Sequence, residues 1–198
     1  MCEAFSIRTL LILWWIVSIY ERVSYRYGMD LKTRFDEDRG AFIFGILRVL
    51  LGAMLFWAFL DKMFGLGYAT PAGAGFIDGG SPTKGFLIGA SKGTFGWLFE
   101  PMVDISGVLD VVILLAMFAL GVGLILGIGK KLCCIGGMAM FFVFYLAMFP
   151  LANNPILDEH VIYIVVLAGV LFTDSCRSIG FGRMWKDTAL VKRFPILE

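Results

Sequence analysis

Twenty consecutive residues, 41–60, are apolar or glycine with one exception, Arg48. A helix of that length spans the roughly 30 Å hydrocarbon core of a bilayer. Three further runs, 105–129, 132–150 and 155–173, are predominantly apolar. Lipid offers the backbone no hydrogen-bond partner, so runs this long read as helices whose amides are satisfied internally. The predicted fold is an all-α integral membrane protein. It is an antiparallel four-helix transmembrane bundle with a long external loop containing short helices, plus an extra N-terminal hydrophobic helix. Composition agrees: 59% of the 198 residues are hydrophobic and only 17% are charged, against about 25% charged in soluble domains.

The few charges are sorted. Arg22, Arg26, Lys32, Arg34 and Arg39 precede the first run, and Lys130 and Lys131 fill a short turn between the second and third. Arg177, Arg183, Lys186, Lys192 and Arg193 follow the fourth, whereas the opposite side carries only Lys62, Lys84 and Lys92. The positive-inside rule then predicts a multi-pass protein of the cell membrane with a cytoplasmic C-terminus and an external loop over residues 65–104. Three parts follow: a hydrophobic helix and basic cytoplasmic linker (1–39), the four-helix domain (40–174) and a basic tail (175–198). A net charge of +1 with no basic face argues against nucleic acid as a partner. Cys2, Cys133, Cys134 and Cys176 form no C-x-x-C, and the last three fall at cytoplasmic span ends, where thiols stay reduced. An outward-facing thiol relay is therefore disfavoured, and apolar packing is their expected role.

Local signals add detail. Phe95/Phe99 and Leu98/Met102 are i,i+4 pairs, which predict one or two short helices within the external loop. Such a segment either caps the outer mouth of the bundle or anchors in the interface. Asn154 as N-cap, Pro155 at N1 and Asp158 and Glu159 behind them predict the start of the fourth helix. Gly123 and Gly127 offer a close helix contact. Residues 10–20 are apolar but short and follow Arg8, so they read as an additional membrane helix, with a flat interfacial segment or a start at Met29 as alternatives. The tail mixes Ile179, Phe181 and Trp185 with its charges, as a segment on the inner leaflet would.

Depth follows from residue counts at about 1.5 Å per residue. Asp110 and His160 each lie five residues inside a span boundary, about 8 Å below the outer surface. Tyr145 is at a similar level, and Asp61 and Lys62 stand at the outer end of the first span. All four helices thus send a polar group into one outer-half layer, where a Lys62–Asp110 pair is geometrically easy. Tyr163, one turn below His160, would extend a proton path. Arg48 lies about 10 Å from the inner surface, leaving roughly 12 Å between it and Asp110. Such a cation either snorkels to a surface or is used. The bland alternative is that these groups are structural glue, or are simply solvated near helix ends. A single histidine does not meet the usual ligand set for zinc, so no metal is expected.

The order and spacing of these residues carry a resemblance. Arg48 and Gly52 lead to Trp57, Asp61 and Lys62, then to Gly65-Leu66-Gly67-Tyr68. Gly79-Gly80-Ser81-Pro82-Thr83, Gly85-Phe86-Leu87, Lys92-Gly93-Thr94-Phe95, Asp110 and Gly121-Val122-Gly123 follow. Asn153 to Asp158, His160 and Tyr163 close the set. Over residues 40–173 the chain resembles the DoxX/DoxD family, specifically its archaeal-type members with a long external loop. The resemblance implies a four-helix membrane bundle related to the membrane subunit of thiosulfate:quinone oxidoreductase. It also implies that Arg48 and Lys62 hold the family's first-helix basic positions and Asp110 its acidic position. No haem, flavin or iron–sulfur signature is present, so the chain alone would lack an electron relay.

The leading expectation is a DoxX-type subunit of a quinone-linked redox complex. Arg48, Asp61, Lys62, Asp110, His160 and Tyr163 would form its ligand or proton site. Quinone would be its non-covalent ligand, and its partners would be the bilayer, a second redox subunit and further copies of itself. A non-catalytic assembly or scaffold protein is the alternative from another class. A small-solute carrier is the weakest reading, since no inverted repeat is visible.

Overall fold

The longest apolar run becomes the longest helix. The computed structural model describes residues 39–152 and 154–197 and opens with α1, Arg39–Phe64. Lid helices α2 (Pro82–Ala90) and α3 (Gly96–Asp104) follow a 3-10 turn at Phe76–Asp78. Then come α4 (Ser106–Leu126), α5 (Lys130–Ala147) and α6 (Glu159–Phe172). The tail folds as three short helices, α7 (Ser175–Ser178), α8 (Gly182–Lys186) and α9 (Ala189–Arg193), and no strand occurs among the described residues. The chain divides into two units, Met1–Arg39 and Gly40–Glu198. The expected N-terminal helix, most of the basic linker, Cys2 and Asn153 lie outside the described residues.

Helices α1, α4 and α5 are long and apolar enough to cross a membrane. Helix α6 has 14 residues, about 21 Å at the helical rise, and starts later than the Asn154–Pro155 signal predicts. The Asn154 carboxamide instead closes a turn, accepting from the amides of Ile156 and Leu157. Asp158 takes the N-cap, its carboxylate accepting from the amides of His160 and Val161. Asn and Asp are equally good caps, so the sequence holds two valid start signals and the second one is used.

Helices α1, α4, α5 and α6 share one core. Leu51 and Leu55 meet Leu124, Cys133, Cys134, Phe141, Leu167 and Val170. Cys133, Cys134 and Cys176 are free and buried, so they pack as small apolar groups. Leu115, Ile135 and Val165 face outward and are more than half exposed, a surface of the kind that lipid covers.

Helices α1 and α4 cross closely at Gly52 and Gly121, and Gly123 makes its expected close contact against α5, where a Cβ would run into Cys133 Sγ. A Cβ on Gly52 would stand 2.8 Å from the Ile125 amide nitrogen, and one on Gly121 2.8 Å from that of Phe56. Gly127 serves instead as the left-handed C-cap of α4, with φ of 73°. Gly52→Ala should therefore cost about 1–3 kcal/mol, the usual penalty of overpacking. The expected readout is a lower thermal midpoint in detergent with unchanged helix content.

Between α1 and α4 the long connection is a folded lid with its own small core. Leu87, Ala90 and Phe99 pack with Ala147 of α5, and α2 seats on α3 and α4. The lid carries two short helices, and the i,i+4 pairs belong to α3. Below, the lid side is the loop end and the side bearing α7–α9 is the tail end.

Candidate functional site

At the tail end the last carbonyls of α4 need donors, because a helix leaves its final four without partners. Arg48 supplies them from α1. Its guanidinium is fully buried and donates to the carbonyls of Leu124 and Ile125, and also to that of Ile179 in the tail. The Phe181 amide donates to the Leu126 carbonyl at 2.8 Å, completing the cap. Lys130 does the same for α6, its ammonium donating to the Thr173 carbonyl at 2.9 Å. Arg48 thus neither snorkels nor faces the loop end; it ties α1, α4 and the tail together.

At the loop end both buried carboxylates are spent on the lid. Asp61, 2% exposed, accepts from the amides of Tyr68 at 3.2 Å and Thr70 at 2.8 Å. Gly65 makes that turn possible: its φ is 57°, and a Cβ there would lie 2.7 Å from the Gly75 nitrogen. Asp110, 1% exposed, accepts from the Ser81 hydroxyl and from the Thr83 amide at 2.8 Å. Those groups belong to the N-terminus of α2, where an anion also meets the helix dipole. The expected Lys62–Asp110 pair is not formed, because α2 has taken both oxygens of the carboxylate.

What remains at the loop end is a pocket of about 210 Å³. Lys62 and Ala58 of α1, Thr83 and Phe86 of α2, and Ile113 and Met117 of α4 line it. Phe144 of α5, Met148 at its C-cap and His160 of α6 complete the wall. Of the six residues predicted from sequence, the pocket wall brings together Lys62 and His160. Asp61 and Asp110 stand behind it holding the lid, Tyr163 packs edge-on to His160 with ring centroids 6.2 Å apart, and Arg48 is at the other end. Tyr145 donates instead to the Ile156 carbonyl at 2.7 Å.

Three polar groups in this pocket have unused capacity. Lys62 makes no hydrogen bond or ion pair among the described residues. The Thr83 hydroxyl, on a residue 2% exposed, has no hydrogen-bond partner there either. His160 Nδ1 lies 2.7 Å from the Asp158 carboxylate. In the neutral ring that contact favours a proton on Nδ1 and leaves Nε2 as an acceptor. Sequence reasoning did not single out Thr83, because its role depends on Asp110, 27 residues away, taking its amide and leaving its hydroxyl alone.

A wider concavity of about 360 Å³ at the tail end gathers Lys130, Arg183 and Lys186 with Asp174 and Asp187. Its charges largely offset, and none of the six predicted residues lines it. In comparison with known proteins, no family model, no curated protein and no solved structure matches the chain.

Proposed function

We propose that this chain is a DoxX-type integral membrane subunit of a quinone-linked redox complex acting on thiosulfate or related sulfur compounds. In this reading α6 is a fourth membrane crossing, the lid is external, and the tail is cytoplasmic. The observation that carries it is the loop-end pocket, where an ammonium, an unpartnered buried hydroxyl and an imidazole meet on otherwise apolar walls. Drug-sized ligands occupy sites of roughly 300–1,000 Å³, so this smaller space suits one ring. Lys62 and Thr83 supply donors, and ring carbonyls are the acceptors that match them. His160, backed by Asp158, holds or passes a proton at Nε2. Electrons would come from a partner subunit.

Quinone binding to the purified protein in detergent tests the reading. Lys62→Met should weaken saturable binding by about ten- to a hundredfold, the worth of one charge-assisted hydrogen bond. Thr83→Val should act in opposite directions on stability and binding. Removing an unpartnered buried hydroxyl should raise the thermal midpoint without ligand by about 1 kcal/mol of stability. The further rise on adding quinone should shrink. Absence of saturable binding in a well-folded wild type would discard the quinone reading.

A scaffold is the second reading, and one observation favours it. Arg48, Asp61 and Asp110 are all engaged in holding backbone, as structural glue would be. Under that reading Lys62→Met and Thr83→Val change no ligand response.

A further inference from the structure

Helix α2 spends two of its nine residues on glycine, Gly85 and Gly89. Each costs about 1 kcal/mol against alanine in a helix, and close packing does not explain either one. A Cβ at Gly85 or at Gly89 would meet nothing within 4 Å. Both glycines line a groove of about 420 Å³ between α2 and the end of α5, with Ala147 and Phe149 on the opposite wall and Lys92 at its exposed rim. Phe86 and Met148 line this groove and also the loop-end pocket. The two spaces are therefore neighbours that share one wall. Met148 is half exposed and unbranched, and a methionine adapts its shape readily.

We infer that pocket and groove are the two ends of one site for an amphiphile with a polar ring and a flexible apolar chain. The ring lies against Lys62, Thr83 and His160, and the chain runs past Phe86 and Met148 along Gly85 and Gly89. The pocket alone is too small for such a molecule, while the unpartnered Thr83 hydroxyl marks it as the polar end. A side chain at Gly85 or Gly89 would fill the channel without disturbing the helix. This inference rests on the reading of the pocket as a ligand site.

The test is photolabelling of the full-length protein in membranes with a benzoquinone bearing a decyl chain tipped by a diazirine. The expected label falls on residues 90–93 or 147–150 and is displaced by an excess of the same benzoquinone without a chain. Gly89→Leu should reduce that label to background while helix content matches wild type and the thermal midpoint is equal or higher; Gly85→Leu serves equally if the first variant folds poorly. Label that is displaced by the chainless head but lies elsewhere overturns the groove and leaves the pocket reading standing. Label that survives in well-folded Gly85→Leu and Gly89→Leu does the same. Label that the chainless head cannot displace overturns both.

Discussion

Asp110→Ala should release the lid. The substitution leaves the Thr83 amide and the Ser81 hydroxyl without their acceptor. Hydrogen bonds to a charged group contribute about 1.5–3 kcal/mol each, so a loss of about 3 kcal/mol or more is expected, concentrated at the N-terminus of α2. Hydrogen exchange should show it as faster exchange over residues 83–90, with α4 itself still protected. Asp110→Asn is the informative contrast. Its carboxamide oxygen can still accept from the Thr83 amide, so the lid should loosen less. Because the pocket uses Lys62 rather than the Asp110 charge, quinone binding should survive in Asn and fall in Ala. Equal loss of binding in both variants, with the lid intact in Asn, would return the carboxylate to the ligand site.

The second large effect is expected at Arg48. Arg48→Met keeps the apolar stem and removes the donors to the Leu124 and Ile179 carbonyls. Removing one partner of a buried charged network typically costs about 3–5 kcal/mol, and here α4 also loses the cation at its C-terminus. The tail should detach before the helices do, because Ile179 and Phe181 supply its bonds to that end. Trypsin should then cleave at Arg183 and Lys186 in membranes where the wild type resists. Arg48→Lys should behave nearly as badly, since a single ammonium cannot span the acceptors that a guanidinium fork reaches. A protected tail in Arg48→Met would show that α7–α9 are held without the guanidinium, by packing and the Phe181–Leu126 backbone bond.

All four apolar runs gave helices within about four residues of their expected ends, because length and apolarity alone settle such segments. The second lid helix, α3, was legible from i,i+4 pairs for the same local reason, whereas those pairs say nothing of α2. Counting residues along helices placed Lys62 and His160 at one level, and they do share a pocket. The partners of the charged residues were not legible. Asp61 and Asp110 bind lid amides whose approach depends on how a forty-residue connection folds, and no spacing rule states that. Arg48 was read by its depth, but its acceptors come from α4 and from the tail, far along the chain. Of the glycine pair at 123 and 127, Gly123 makes the expected close helix contact, against α5, and Gly127 ends its helix instead. The left-handed turn after α4 decided the role of Gly127.

The Arg48–Ile179 bond also bears on the order in which the protein is made. The two residues are 131 positions apart, so at about 5–20 residues per second the carbonyl emerges roughly 7–26 s after the guanidinium. Throughout that interval α1 holds a cation whose final acceptor does not yet exist. A nascent chain arrested before residue 179 would carry every long apolar helix and still be open at one end. Closure of that end thus waits until synthesis has passed residue 179.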